Sequence, residues 1–155
     1  MQAHLLGRLE CHTFFIVRAC FPKLYQAIVE KLRVRQRIAI VSTSGTGNST
    51  FVFYFATRYV RQHLNRKVLV RVPRDDRSFL IGSRLIDGGA EVKVSITSST
   101  LDGFAAEQRD GGILQLLDGC DARIVSPPFG VPAVGFFCPR NYTLHYEWQK
   151  LAFEM

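Results

Sequence analysis

The sequence predicts a single three-layer α/β domain with a mainly parallel central sheet and a β-hairpin insert at one edge. Three observations carry that expectation. At residues 38–55, IAIVSTSGTGNSTFVFYF, an apolar strand runs into a Gly/Ser/Thr loop and then into an apolar helix. Two later runs read as further strands: ILQLLD at 113–118, largely apolar and ending in an acid, and VPAVGFFC at 131–138, a buried strand. In the intervening chain, Val92, Val94 and Ile96 alternate with Lys93 and Ser95 after the turn residues Asp87, Gly88 and Gly89, the pattern of a hairpin strand.

The chain has 155 residues, 47% of them apolar and 21% charged, which fits one globular domain over residues 1–155. A formal charge of +7 favours anionic partners: nucleotides, nucleic acid or acidic protein surfaces. The basic residues form only loose clusters, at Lys31, Arg33, Arg35 and Arg37 and at Arg58, Arg61, Arg66, Lys67 and Arg71. A solvated helix face accounts for most of them. Cys11, Cys20, Cys120 and Cys138 form no C-x-x-C pair and no zinc spacing with His4, His12, His63 or His145, so buried reduced thiols are expected. The apolar patch Phe14 to Val17 is flanked by Arg8, Glu10 and Arg18, and lacks the h-region of a signal peptide. No stretch approaches the roughly 20 apolar residues of a membrane span, so no membrane partner is expected.

In chain order, His12 to Arg18 reads as a short extended segment. Pro22 then opens a helix over 22–33, with Leu24, Ile28 and Leu32 as its apolar stripe and Tyr25 and Val29 widening it. Ile38 to Val41 reads as a central strand. A helix from Ser49 to His63 buries Phe51, Val52, Phe55 and Tyr59, and a strand from Lys67 to Val72 stops at Pro73. Short β pieces follow at Ser78 to Ile81 and Arg84 to Ile86. Asp75 and Asp76, flanked by Arg74 and Arg77, suit a solvated turn. A weak helix over 98–108 and a final helix over 141–153, capped by Asn141, complete the reading.

The loop at residues 42–50 carries the chemistry. In the phosphate-loop pattern G-x-x-x-x-G-K-[ST], backbone N–H groups and a helix N-terminus cradle phosphates, while the Lys adds a point charge. Here Ser42 stands at the first Gly, Gly47 at the second, Asn48 at the Lys and Ser49 at the Mg²⁺ ligand. Gly45 and Gly47 allow the positive-φ conformations of an anion nest. Asn48 offers hydrogen bonds in place of charge, which favours binding over hydrolysis. An ordinary βα turn with a Ser/Thr cap accounts for the same small residues. Downstream, Asp118 ends an apolar strand, the local setting of a carboxylate that reaches Mg²⁺, and equally that of a turn starting at Gly119.

Taken together, FIVRACFPKLYQAIVEKL, IVSTSGTGNSTFVFYFATRYV, LQLLDGCDARIV and VPAVGFFCPRNYTLHYEW resemble, in that order, the NTPase region shared by Crinkler effectors of oomycetes and retrotransposon hot spot (RHS) proteins of trypanosomatids. That family's loop looks like GTPGIGKS and its later strand like YLVDG. The resemblance implies a phosphate-loop NTPase-like fold. It makes 42–50 a degenerate Walker A loop and 113–118 a Walker B-like strand. It implies ATP and Mg²⁺ as cofactors, weakly held or lost. Gly45, Thr46, Gly47, Asn48, Ser49 and Thr50 would hold phosphates, and Ser49 and Asp118 the metal. Ser42, Ser44 and Asn48 replace the family's Gly, Pro and Lys, and Cys138 and Pro139 end the strand where a polar sensor is usual. An efficient NTPase is therefore not expected, and no catalytic residue is assigned. The resemblance further implies a truncated core, from a secreted effector acting in the host nucleus on the Crinkler branch or from a nuclear parasite protein on the RHS branch. The alternative is a pseudo-NTPase that binds a host protein or nucleic acid through its basic surface.

Overall fold

A computed structural model describes residues 17–43, 45–72, 77–86, 89–97, 112–119 and 131–137. Helix α1 spans Phe21–Leu32, with Cys20 as N-cap and Pro22 in its first turn, where a missing N–H leaves no helical bond unmade. It buries Phe21, Tyr25 and Ile28, with Leu24, Val29 and Leu32 partly buried beside them. Strand β1 (Arg37–Val41) leads into the loop, and α2 (Asn48–Gln62) leads out of it. Then come β2 (Lys67–Val72), β3 (Arg77–Ile86), β4 (Gly89–Thr97), β5 (Ile113–Asp118) and β6 (Ala133–Phe137).

Among the described residues these strands form one six-stranded sheet in the order β1-β6-β5-β2-β3-β4. The β1–β6, β6–β5 and β5–β2 pairs are parallel, and the β2–β3 and β3–β4 pairs are antiparallel. The architecture is thus α/β with a mostly parallel mixed sheet, and the hairpin sits at one edge. Both helices cover the same face. Residues of α1 and α2 share a core with Ile38, Ile40, Val68, Val70, Leu114, Leu116, Val134 and Phe136. The opposite face is buried too, at Ala39, Leu117, Ala133 and Phe137 and at Leu69, Ile113 and Val131. Burial on both faces is what a three-layer arrangement requires, although the described helices lie on only one.

Three expectations change. Strand β1 is not central: among the described residues it is the edge, because β6 returns to pair between it and β5. The two pieces expected at 78–81 and 84–86 are one strand. Gly82 pairs with Lys93, and the Ser83 hydroxyl donates to Val60 O at 2.7 Å, so ladder bonds and a helix contact carry the strand through a weak β sequence. Cys20, expected to be buried, is an exposed free thiol. The segment at 12–16, the Asp75–Asp76 turn, the helices at 98–108 and 141–153, and Cys138 and Pro139 lie outside the described residues. So do Cys11 and Cys120.

Small residues set how closely β6 is packed. A β-carbon on Gly135 would stand 2.3 Å from the Phe137 ring, so that fully buried ring folds back over the glycine. Ala39 and Leu117 pair with Gly135 from the two neighbouring strands.

Candidate functional site

The parallel strands β1, β6 and β5 deliver their C-terminal ends to one edge of the sheet, where open α/β sheets place ligands. The loop leaves β1 there. Ser42 N–H donates to Phe137 O at 2.9 Å, which ties the start of the loop to the end of β6. Gly45 (φ 83°) and Gly47 (φ 90°) then take left-handed conformations that other residues adopt only under strain. Gly47 is the N-cap of α2 and, lacking a side chain, provides no capping hydrogen bond. The first intrahelical bond runs from Phe51 N–H to Gly47 O at 2.9 Å. The N–H groups of Asn48, Ser49 and Thr50 therefore lie ahead of the helical ladder. No acidic residue occupies the first turn of α2, so the positive end of its dipole is uncompensated locally.

Within the loop the hydroxyls are turned on one another. Ser42 Oγ donates to Asn48 Oδ1 at 2.7 Å, and Thr46 Oγ1 donates to Thr43 O at 2.8 Å. Thr46 Oγ1 also lies 3.2 Å from Ser42 Oγ and 3.3 Å from Asn48 Oδ1. Asn48 is therefore a staple of the loop. Its amide oxygen holds the turn together, and it supplies no charge in place of Lys.

Ser49 and Asp118 are the two buried polar residues at this edge, 7% and 4% exposed. Asp118 ends β5 on the face that carries Leu114 and Leu116, the side covered by the helices. Burial pushes its carboxyl above the ordinary aspartate range, and the nearby Ser49 hydroxyl opposes that rise. The two do not complete a hydrogen bond. Ser49 Oγ and Asp118 Oδ1 are both buried with no partner, a condition costing about 1–3 kcal/mol for each such group. Strand β5, which carries the acid, does not neighbour the loop strand: β6 lies between β5 and β1, a spatial order that chain order does not encode. Gln115, with both amide atoms buried and unpartnered, faces the other side of β5 and takes no part here.

No family model, curated protein or solved structure matches this chain.

The residue that the sequence reading missed is Arg18, just before α1. Its Nη1 donates to Thr46 O at 2.8 Å across 28 residues of chain. A β-carbon on Gly47 would stand 3.4 Å from Arg18 Cζ, 3.5 Å from Nη2 and 3.6 Å from Nε. The guanidinium is thus applied face-on to the glycine that begins α2. Arg58, by contrast, is committed elsewhere: its Cζ lies 4.6 Å from the centre of the Tyr25 ring, and it donates to the Tyr54 hydroxyl.

A separate basic region forms at the opposite edge of the sheet. Burial first, and then the charges of Arg66 and Arg33, hold the His63 imidazole below its usual pKa, which brings one arginine of each basic cluster near the end of α2. Among the described residues, no group of three or more His, Cys, Asp or Glu side chains could hold a metal by itself. None of the helices among them is long and apolar enough to cross a membrane.

Proposed function

We propose that this chain is a degenerate phosphate-loop module that binds the phosphates of a nucleoside triphosphate together with Mg²⁺, with weak affinity and without efficient hydrolysis. The observation that carries the reading is the buried, unpartnered pair Ser49 Oγ and Asp118 Oδ1 beside an uncapped helix start. A hydroxyl and a carboxylate are hard oxygen donors of the kind Mg²⁺ accepts, and Mg²⁺ usually completes its shell with waters and substrate phosphates. Bound there, the ion would neutralise phosphate charge. The N–H groups of Asn48, Ser49 and Thr50, ahead of the helical ladder, would donate to phosphate oxygens, and Gly45 and Gly47 would let the backbone approach them. The wider setting rests on the sequence resemblance alone: a secreted effector acting in the host nucleus on the Crinkler branch, or a nuclear parasite protein on the RHS branch.

Thermal unfolding with and without MgATP tests this reading. At ten times Kd, a site of this kind raises Tm by about 3–5 °C in a chain of this size. Asn48→Lys is expected to enlarge the shift and Asp118→Ala to remove it. A parent chain that shows no shift, and gains none from Asn48→Lys, would sink the nucleotide site.

The formal charge of +7, with Arg33 and Arg66 both acting on His63, favours a second reading, an interaction module for nucleic acid or an acidic host protein. Oligonucleotide binding that weakens steeply with salt and ignores Asp118→Ala would support it.

A further inference from the structure

We infer that Arg18 supplies the positive charge that Asn48 does not, and that the phosphate site is completed by the segment preceding α1 rather than by the loop alone. The inference rests on the phosphate-site reading and adds to it the group that meets the phosphate charge.

Three observations lead to Arg18. Asn48 is folded into the loop by Ser42 and Thr46, so the position that normally extends a cation towards the phosphates is occupied by an internal hydrogen-bond acceptor. Arg58, on the same helix, is held against Tyr25 and Tyr54. Arg18 reaches the loop from outside it: Nη1 is anchored on Thr46 O, and the plane of the guanidinium rests against Gly47, one residue from the first free N–H of α2.

Arginine suits this position for a chemical reason. Its planar head carries five N–H donors, so the one bond to Thr46 O leaves donors for an anion, and the charge persists at any accessible pH. A lysine that spent its donors on Thr46 O would have no second prong in the same plane. Gly47 serves two purposes. Its φ of 90° starts the helix in a conformation other residues rarely adopt, and its bare α-carbon faces the guanidinium, a β-carbon there reaching ordinary contact at 3.4 Å from Arg18 Cζ. Arg18 is exposed, so its unused donors face solvent until an anion arrives.

Titrating MgATP and magnesium pyrophosphate into the full chain and its variants, with Tm and calorimetric Kd as readouts, tests the inference. Arg18→Gln is expected to weaken both ligands tenfold or more, while the ligand-free Tm moves by no more than about 2 °C, the size of an exposed-contact loss. Adding Asn48→Lys to Arg18→Gln is expected to recover most of the lost affinity. A purely structural Arg18 would not be rescued in that way, since the new lysine restores charge and not the bond to Thr46 O. If the parent binds MgATP in an Asp118-dependent manner and Arg18→Gln binds equally well, the inference fails while the site reading stands. If Arg18→Gln weakens binding and Asn48→Lys does not rescue it, Arg18 shapes the loop and the charge argument is overturned. If the parent binds neither ligand, both readings fall together.

Discussion

Asp118 and Ser49 illustrate how a buried polar atom without a partner can weaken the fold that holds it. Asp118 Oδ1, buried without a partner, costs free energy in the ligand-free chain, and the same burial pulls the carboxyl pKa upward against the opposing effect of Ser49. Replacing it with a methyl group removes the unmet demand. Asp118→Ala is therefore expected to raise the ligand-free Tm by about 2–4 °C, equivalent to roughly 1 kcal/mol, while abolishing the MgATP shift. A lower ligand-free Tm would mean that the carboxylate has a stabilising partner and is structural. At this scale the backbone of the candidate loop and the acid at the strand end were legible. Gly45 and Gly47 revealed themselves because few other residues tolerate a loop that turns into a helix at positive φ, and Asp118 because an acid at the end of ILQLLD has to be explained. Arg18 was not legible, since its contact with Thr46 spans 28 residues and depends on where α1 comes to rest.

The interface between α1 and α2 is where element-scale packing shows its cost most clearly. Tyr25 is buried against Phe55 at a ring separation of 5.0 Å, its hydroxyl donates to Gln62, and Arg58 covers its face. Burial outweighs the Arg58 charge and pushes the phenol up to about 12. A folded-state pKa above the unfolded value of about 10 means the neutral form is favoured in the fold. That stability is present below pH 10 and is lost as pH rises to about 12. The loss amounts to about 2–3 kcal/mol over this window. Tyr25→Phe should cost about 1 kcal/mol at neutral pH, through the lost bond to Gln62, and should flatten the alkaline decline in urea-melt stability. Parallel pH profiles for the two proteins would show that the phenol titrates as in the unfolded chain. The apolar stripe that buries Tyr25 was readable from helical spacing. The single β3 strand was not, because Gly82 and Ser83 read locally as a break and are carried by partners on β4 and α2.

At the scale of the whole molecule, stability is distributed along the sheet order. Strand β6 pairs with β1 and β5 simultaneously, joining residues 37–41 to residues 133–137, and each of its residues is buried. Among the described residues the hairpin pairs with the rest of the sheet only through β2, and its outer strand exposes Glu91, Lys93, Val94 and Ser95. Charged residues on an outer strand discourage pairing with another chain. The strand runs announced the sheet, but their neighbours could not be read from order, because a parallel sheet is assembled from segments far apart in sequence. This arrangement predicts a gradient in amide hydrogen exchange. Amides of β5 and β6 should exchange only through global unfolding, while those of β4 should exchange through local opening at least tenfold faster, a gap of about 1.4 kcal/mol or more. Protection of β4 equal to that of β6, and independent of protein concentration, would show the outer strand covered by another part of the chain. Equal protection that fades on dilution would instead reveal a second copy paired along the edge, since β4 would then be an inner strand of an assembly and the exposure of Val94 would belong to the monomer alone.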